Sequence, residues 1–409
     1  MAAVSPLAPE RFPDLASLAG VRLATAHCGI RYPGRRDLML AVIEPGATIA
    51  GVLTRSATPG APVDWCRKAL KRGKARAIVV NSGNANVFTG RAGRVAVAKT
   101  AAALARLLDC DASEIYVSST GVIGEKLPAE KIVAALSATV AAVRSDGWAE
   151  AALAIMTTDT FPKGATRQAR IGRTTVTING IAKGSGMIAP DMGTMLAYIF
   201  TDAALPARVL QALLDESNAR SFNSITVDGD TSTSDTALLV ATSNAGNKRI
   251  VSARDPALRG FRRALDAVMI DLAQQIVRDG EGAEKFVTIR VKGAASDVAA
   301  RRIGLAIGNS PLVKTAIAAG DANWGRIVMA VGKAGEKADR DRLSIAVGGV
   351  KIAAKGDAVP GYDEAPVARH MAGRDIEIAI DLGIGRGRWT VWSCDLTHRY
   401  IDINGSYRS

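Results

Sequence analysis

The feature that most constrains the fold is the way strand-like apolar runs follow one another with only short turns between them. The runs "LMLAVIE" (38–44) and "TIAGVLT" (48–54) are separated by a Pro-Gly pair, which is typical of a β-hairpin. The runs "ATRQARIG" (165–172) and "TTVTINGIA" (174–182) alternate like a second hairpin. Strands joined in this way are antiparallel, so the sequence predicts an α+β fold and argues against a doubly wound parallel sheet.

Helix-like segments are interspersed with these runs along the whole chain. The segment "VDWCRKALKRG" (63–73) has the apolar spacing of an amphipathic helix and ends at Gly73. Further helices are predicted near 90–109, 128–143, 206–220, 255–279, 296–319 and 362–372. The chain has no internal repeat at a fixed period and no low-complexity linker, so its composition marks no domain boundary.

The composition indicates a compact globular protein built mainly from aliphatic side chains. Of 409 residues, 48% are hydrophobic, 22% are charged and only 4% are aromatic. No apolar run is long enough to span a bilayer, and the start of the chain lacks the continuous apolar region of a secretory signal. The four cysteines have no C-x-x-C spacing, which argues against a disulfide framework or a zinc site. We therefore expect a cytoplasmic protein with no membrane partner.

The net charge of +13 raises the question of nucleic-acid binding. The basic residues are dispersed, however, and the densest group, "RKALKRGKAR" (67–76), has the pattern of a solvated helix face followed by a loop. Binding to phosphates along a nucleic acid needs clustered Lys and Arg. We therefore expect no nucleic-acid partner and interpret the charge as an attraction for small anionic molecules.

The histidines do not fit a familiar hydrolase or metalloenzyme pattern. His27, His370 and His398 lie outside any G-x-S-x-G or H-E-x-x-H motif. His370 is predicted at the end of a helix and His398 at the tail of a strand. The sequence therefore argues against a Ser-His-Asp hydrolase, and a catalytic base must come from another group.

Two further motifs are better explained by local turns than by ligand sites. Asp228 and Asp230 have D-x-D spacing, but Thr233 and Leu239 stand where a calcium loop needs Gly and Glu. A network of turns around these aspartates is the better interpretation, and no metal site is predicted. The Gly-rich segment 383–389 lacks the strand–turn–helix context of a dinucleotide site and is predicted to connect two strands.

The pair Gly193-Thr194 lies where the glycine-broken loop "KGSGMIAPDMG" meets the apolar run "MLAYIF". A threonine hydroxyl is a poor nucleophile, but an adjacent amine can act as its general base. The nearest such amine is the α-amino group of Thr194, which exists only if the Gly193–Thr194 bond is cut. Its ordinary pKa of about 7.7–8.0 suits proton transfer near neutral pH, and glycine permits the strained backbone that a cut requires. Taken alone, a Gly-Thr pair is common, and the plain start of a buried strand is the better interpretation.

The stretch "KGSGMIAPDMGTMLAYIFTDA" (183–203) resembles the signature of the ornithine acetyltransferase family, the glutamate N-acetyltransferases of arginine biosynthesis. The resemblance extends over essentially the whole chain. It is carried by further motifs in the same order: "NSGNANVFTG" (81–90), "VSSTGVIGEKLP" (117–128), "IMTTDTFPK" (155–163), "SFNSITVDGDTSTSDT" (221–236), "DGEGAEKF" (279–286), "GDANWGRI" (320–327) and the C-terminal "YIDINGSYRS".

This resemblance implies a layered α/β/β/α-type sandwich of the self-processing, N-terminal-nucleophile-like kind. Members of the family cut themselves before a threonine, here Thr194, which implies an α chain of residues 1–193 and a β chain of residues 194–409. The freed threonine takes the acetyl group from N2-acetylornithine and passes it to glutamate, a ping-pong reaction through acetyl-threonine. The family needs no cofactor, some members also accept acetyl-coenzyme A as the donor, and heterotetramers of two α and two β chains are common.

The resemblance also assigns roles to individual residues. Thr120 and Gly121 match the family's oxyanion-hole pair, and Thr194 matches the nucleophile. The substrate-contacting positions are matched by Thr157, Lys183, Thr194, Glu281, Asn404 and Ser409. Lys183 is expected to pair with a substrate carboxylate and Glu281 with a substrate ammonium group.

The chain departs from the family pattern at a few of these positions. Gly193 stands where Ala usually precedes the nucleophile, and Ser409 stands where Thr is common. "STSD" replaces "STND", and "GEGAEK" replaces "GEGATK". Because Gly is more flexible than Ala and Ser keeps the hydroxyl, we expect cleavage and activity to survive these changes.

Two other function classes are compatible with parts of this pattern. An N-terminal-nucleophile amidohydrolase or aminopeptidase could use the same Thr194, with water instead of an amine resolving the acyl-threonine. A non-enzymatic basic binding protein would remain one intact chain. Lys183 and Glu281, which suit an amino-acid acceptor, favour the transferase.

Overall fold

The structure is a computed structural model that describes residues 3–31, 33–189 and 195–405. Its strands, numbered in chain order, are β1 (Val21–Ala26), β2 (Leu38–Ile43), β3 (Thr48–Leu53), β4 (Ala77–Asn81), β5 (Ile115–Ser119), β6 (Lys163–Ile171), β7 (Thr174–Lys183), β8 (Leu196–Thr201), β9 (Thr236–Ala241), β10 (Phe286–Ala294), β11 (Ser344–Val347), β12 (Val350–Ala354), β13 (Asp357–Ala358), β14 (Asp375–Asp381) and β15 (Gly387–Cys394). Its α-helices are α1 (Ala61–Ala69), α2 (Gly90–Leu107), α3 (Ala129–Ala141), α4 (Trp148–Ala154), α5 (Ala207–Arg220), α6 (Arg259–Arg278), α7 (Asp297–Gly308), α8 (Pro311–Ala318), α9 (Trp324–Gly332), α10 (Glu364–Ala372) and α11 (His398–Gly405).

Two sheets stacked face to face form the middle of the molecule. The first has the strand order β1-β2-β4-β5 and the second the order β3-β9-β8-β7-β6. Their facing sides share one core, to which Met39, Tyr116 and Tyr198 contribute. Helices α2 and α3 pack on the outer face of the first sheet, and α5 and α6 on the outer face of the second. The predicted α+β fold with α/β/β/α layers is therefore confirmed.

A third sheet follows in the C-terminal part of the chain. Its strand order is β13-β12-β11-β14-β10-β15, with β10 parallel to β14 and antiparallel to β15. Helices α7 to α10 cover one of its faces and enclose a separate core. This layer is joined to the sandwich at the isolated bridge between Ile225 and Trp392.

Strand β8 lies at the centre of the second sheet, between β9 and β7. Tyr198 and Phe200 point into the core between the two sheets, whereas Ala197 and Ile199 point towards α5 and α6. Both faces of the strand are buried, which explains why its sequence is almost continuously apolar instead of alternating. The chain directly after Thr194 thus enters a strand that is buried along its whole length.

One of the two predicted hairpins is present and the other is not. Strands β6 and β7 form the expected antiparallel pair. The hairpin predicted for 38–44 and 48–54 is wrong, because β2 pairs with β1 and β4 in the first sheet while β3 pairs with β9 in the second. Pro45 and Gly46 therefore carry the chain from the first sheet to the second. Strands β2 and β3 are each buried by segments that lie far from them in the sequence.

The first helix ends where the sequence pattern indicates, whereas His398 lies in a different element from the one expected. The helix that begins with α1 ends at Gly73, which adopts φ 63° as a left-handed cap. His398 was predicted at the tail of a strand, but it is the first residue of α11, so that prediction is wrong. Across the described ranges, none of the helices combines the length and the apolar composition needed to span a bilayer.

Candidate active site

A cavity of about 350 Å³ lies at the end of the sandwich where β5 and β7 finish and β9 begins. It is lined by all of the predicted site residues that the structure describes, namely Thr120, Gly121, Thr157, Lys183, Glu281 and Asn404. Gly193, Thr194 and Ser409 lie outside the described residues. Two larger clefts, of about 890 and 490 Å³, are lined by none of the predicted residues. Cavity volume alone would therefore have placed the candidate site in a different cleft.

Thr120 and Gly121 are held in place by main-chain contacts with the end of β4 and the loop that follows it. The Thr120 N–H donates to the carbonyl oxygen of Asn81 over 3.0 Å. Gly121 has φ 129°, and a Cβ atom there would lie 2.3 Å from the carbonyl carbon of Gly83, so only glycine fits. Among the described residues, the Gly121 N–H has no acceptor. This N–H and the Thr120 hydroxyl are two donors at one wall of the cavity.

Lys183 is the last residue of β7, and its side chain is only 3% exposed. Its ammonium group donates to Thr157 Oγ1 over 2.8 Å and to Thr120 Oγ1 over 3.4 Å. Burial lowers the pKa of Lys183 below its ordinary value, while the nearby carboxylate of Asp159 opposes that shift. The cavity therefore contains a cation that two hydroxyl groups orient, and such a group can bind a carboxylate.

Behind Lys183 lies a buried ion network that the sequence prediction missed. Lys163 Nζ lies 2.7 Å from Asp159 Oδ1 and 2.5 Å from Asp279 Oδ2, and none of the three side chains is exposed. Burial opposes the ionised form of Asp159, but the charges of Lys163 and Lys183 outweigh it and hold its pKa below the ordinary value. The sequence signal was weak, since Asp159 and Lys163 share the motif "TTDTFPK" without any pattern that indicates a network.

Glu281 and Asn404 form a second polar wall of the cavity. Asn404, on α11, donates from Nδ2 to Glu281 Oε2 over 2.8 Å. A Cβ atom at Gly186 would lie 2.5 Å from Glu281 Cδ, so the absence of a side chain lets this carboxylate lie against the loop that follows β7. The cavity thus presents a negative group as well as the Lys183 cation, an arrangement that suits a ligand carrying both charges.

Asp235, directly before β9, is a second residue that the sequence analysis did not single out. Its Oδ1 accepts a hydrogen bond from the main-chain N–H of Met195 over 2.8 Å. Its Oδ2 is buried and has no partner among the described residues. Burial raises the pKa of Asp235 well above its ordinary value, although Met195 and Lys183 oppose the shift. A carboxyl group with a preference for its protonated form therefore contacts the residue that follows Thr194.

His370 and Asp228 of the D-x-D motif form local hydrogen bonds and do not line the cavity. The Nε2 atom of His370 accepts the Glu377 N–H over 2.8 Å. The carboxylate of Asp228 accepts the N–H groups of Met187 and Ile188, over 2.6 and 2.9 Å, and so braces the loop after β7 as the turn interpretation predicted. Among the described residues, the cavity wall includes no histidine.

Comparisons with known proteins give a consistent result. A model of the ArgJ family matches residues 22–409. The arginine biosynthesis bifunctional protein ArgJ of Gluconobacter oxydans (strain 621H) is 61% identical over 406 residues, which are 99% of this chain and 96% of that protein. The protein of the same name from Rhizobium meliloti (strain 1021) is 55% identical over 409 residues, 99% of each chain. The crystal structure of arginine biosynthesis bifunctional protein ArgJ from Bacillus halodurans is 39% identical with a TM-score of 0.51, and it covers 52% of this chain and 100% of that chain.

Proposed function

Because the chain belongs to the ArgJ family, we propose that it is an acetyltransferase of arginine biosynthesis that moves an acetyl group from N2-acetylornithine to glutamate. The observation that carries this proposal is one cavity lined by Thr120, Gly121, Lys183 and Glu281. These residues combine donors for a developing oxyanion with charges of both signs for an amino-acid substrate. The names of the relatives support a role in arginine biosynthesis.

The enzyme is proposed to process itself before it acts. The Thr194 hydroxyl attacks the Gly193 carbonyl carbon, the C–N bond breaks, and an ester forms. Water then hydrolyses the ester and leaves a carboxylate on Gly193 and a free α-amino group on Thr194. The α chain is then residues 1–193 and the β chain residues 194–409. A relative's solved chain that matches along its whole length, yet covers only 52% of this chain, is what a cut near the middle would produce.

The acetyl transfer is proposed to proceed in two halves. The Thr194 hydroxyl attacks the acetyl carbonyl of N2-acetylornithine and its proton passes to the Thr194 α-amino group. Thr120 and Gly121 stabilise the oxyanion of the tetrahedral intermediate. The C–N bond breaks, the amine takes the proton, and ornithine leaves acetyl-Thr194 behind. The amine of glutamate then attacks this ester, which gives N-acetylglutamate and free Thr194.

The remaining cavity residues are proposed to hold the substrate. Lys183 pairs with a carboxylate and Glu281 with an ammonium group, while Thr157 and Asn404 add hydrogen bonds. Ser409 is proposed to contribute a hydroxyl from the C-terminus. Neither half-reaction needs a cofactor, because the nucleophile, the base and the oxyanion donors all come from the chain.

The test compares ornithine release from N2-acetylornithine with and without glutamate. Without glutamate, a transferase should release at most one ornithine per active site and then stop. With glutamate it should turn over repeatedly and form an equal amount of N-acetylglutamate. If the steady rate of ornithine release is the same with and without glutamate, the protein is an amidohydrolase in which water resolves acetyl-Thr194. A single uncut chain with no turnover would indicate a binding protein.

A second activity with acetyl-coenzyme A is proposed from the word bifunctional in the relatives' names. Acetyl-coenzyme A is then a second acetyl donor to the same Thr194, and its phosphates are attracted by the net charge of +13. Formation of N-acetylglutamate with acetyl-coenzyme A as the sole donor tests this activity. If N-acetylglutamate forms no faster than in a control without enzyme, the protein only recycles the acetyl group from N2-acetylornithine.

The assembly is proposed to be a cytoplasmic heterotetramer of two α and two β chains. Its mass would be about twice the 42.6 kDa of the uncut chain. Light scattering of the processed enzyme tests the mass, and denaturing electrophoresis of the same sample tests the two chains. A species of 42.6 kDa in solution would contradict the tetramer without affecting the reaction.

A further inference from the structure

The carboxylate of Asp159 lies directly behind Lys183 and contacts three separate parts of the chain. Its Oδ1 accepts from Lys163 Nζ over 2.7 Å and from the Gly184 N–H over 2.6 Å. Its Oδ2 accepts the Thr157 N–H over 3.0 Å and lies 3.7 Å from Lys183 Nζ. The side chain has no exposed surface. No predicted role accounts for this residue.

These contacts hold the main chain on both sides of the bond between Lys183 and Thr157. Gly184 follows Lys183 in the chain, and Thr157 carries the hydroxyl that accepts from Lys183 Nζ over 2.8 Å. Asp159 therefore restrains the donor and the acceptor of this bond through their backbones. A shift of the Asp159 carboxylate would move both.

The charge of Asp159 has a second consequence for Lys183. Lys183 is buried, and burial disfavours its ammonium form. Among the charged groups that face it, Asp159 is the strongest that favours the ammonium form, and Glu281 acts in the same direction, as does Asp235 when it is ionised. Lys163 acts in the opposite direction. Asp159 is thus the main group that keeps a buried lysine positively charged.

The position of Lys183 links this charge to the oxyanion donors. Lys183 Nζ donates to Thr120 Oγ1 over 3.4 Å, so a lone pair of this hydroxyl is occupied. The hydroxyl proton of Thr120 is then free to point into the cavity, where an oxyanion would accept it. A neutral Lys183 would weaken this arrangement.

We propose that Asp159 is a positioning residue for the acetyl transfer, which keeps Lys183 charged and directed at the hydroxyls of Thr120 and Thr157. The inference rests on the proposed function, because it assigns Asp159 to that reaction. Lys163 anchors Asp159 from the other side by also contacting Asp279, so the carboxylate cannot turn away from Lys183.

The test uses Asp159→Asn, with Asp279→Asn as its matched control. Both changes remove one buried carboxylate beside Lys163, but only Asp159 faces Lys183. In Asp159→Asn, kcat should fall at least about tenfold, as expected when a catalytic group is misplaced. The alkaline limb of its pH–rate profile should move at least about one pH unit lower, because a neighbouring carboxylate no longer favours the Lys183 ammonium form. In Asp279→Asn the limb should stay in place even if the protein is less stable.

A readout without turnover separates this inference from the proposed function. In protein labelled with ¹³C at lysine Cε, the Lys183 resonance, identified by its loss in Lys183→Arg, should titrate at lower pH in Asp159→Asn than in the wild type. An unchanged Lys183 titration, or an equal shift in Asp279→Asn, would overturn the inference. A wild type that titrates as expected but shows no acetyl transfer would instead overturn the proposed function.

A second variant covers the case in which Asp159→Asn does not fold. Lys183→Arg keeps its charge without help from Asp159 because the guanidinium pKa is far above the assay range. Its alkaline limb should disappear or move upward by more than about one pH unit. A limb that remains at the wild-type pH would show that Lys183 does not set it and would overturn the inference.

Discussion

The main-chain N–H of Met195 donates to Oδ1 of Asp235 over 2.8 Å, one residue after Thr194. This bond anchors the start of the central strand β8 to the start of its parallel neighbour β9. The carbonyl of Met195 accepts the Thr236 N–H over 3.1 Å and completes the anchor. The chain next to the proposed nucleophile is therefore held on both of its polar main-chain groups, as precise positioning requires.

The raised pKa of Asp235 predicts a specific dependence of stability on pH. The folded state binds the proton of Asp235 more tightly than the unfolded state, where the pKa is about 3.9. This contribution is complete below the unfolded pKa and is lost as the pH rises through the folded pKa. The free energy of unfolding of the wild type, relative to Asp235→Asn, should therefore fall as the pH is raised above about 4. Urea titrations of both proteins at a series of pH values measure this difference in the Thr194→Ala background, where the chain is expected to stay in one piece, and a constant difference would contradict the assignment.

Thr194→Ala should remain one intact, inactive chain, because the hydroxyl proposed to attack Gly193 is missing. Mass spectrometry of the purified protein measures the cut, and an assay with N2-acetylornithine and glutamate measures activity. Thr175→Ala is the control, since Thr175 is an exposed threonine on β7. Normal processing of Thr194→Ala would show that the cut lies elsewhere.

Gly121→Ala should reduce kcat by about 10²–10³-fold or more, the effect of losing one oxyanion donor. The added Cβ would lie 2.3 Å from the Gly83 carbonyl carbon, so the loop that carries the N–H must move. Gly124→Ala is the control, because Gly124 also has a positive φ but has open space around its Cβ position. The control should lose about 1–2 kcal/mol of stability from backbone strain and keep its kcat. Equal losses of kcat in both variants would point to the loop as a whole and not to the Gly121 N–H.

Lys163→Met should lower the free energy of unfolding by about 3–5 kcal/mol, because it leaves two buried carboxylates without their shared cation. Arg167→Met is the matched control, since Arg167 pairs with Asp271 over 3.1 Å at the surface and should contribute less than about 1 kcal/mol. Both changes are best measured by urea unfolding in the Thr194→Ala background, where the chain is expected to stay in one piece. Similar losses in the two variants would show that the buried network adds nothing beyond a surface pair.

Gly186→Ala should raise KM about tenfold or more with little change in kcat. Its Cβ would lie 2.5 Å from Glu281 Cδ and displace the carboxylate, which loses a charged hydrogen bond worth about 1.5–3 kcal/mol. Steady-state kinetics with N2-acetylornithine measure both constants, and Gly172→Ala, in a turn with open space around it, is the control. If Gly186 acts through Glu281, the double variant with Glu281→Gln should resemble Glu281→Gln alone. Additive effects would refute that link.

Local patterns in the sequence were sufficient for several elements of the fold. The alternation in 165–182 predicted the β6–β7 hairpin, and Gly73 marked the end of the first helix. Local patterns failed to predict the partners of β2 and β3, because the continuous apolar runs of these strands are compatible with burial in any sheet. Pairing with β4 and β9 was decided by contacts with segments far along the chain, which no local pattern encodes.

By itself the sequence determined the family, the candidate site residues and hence the chemistry proposed for the chain, since a Gly-Thr pair stands inside a long ordered series of motifs. Only the tertiary structure decided which other groups support that chemistry. Asp159 and Asp235 acquire their roles from burial, and burial becomes defined only when distant strands and loops pack around a carboxylate. The physical reason is that the charge state of a carboxyl group depends on the solvent and charges around it, and those surroundings are assembled by folding.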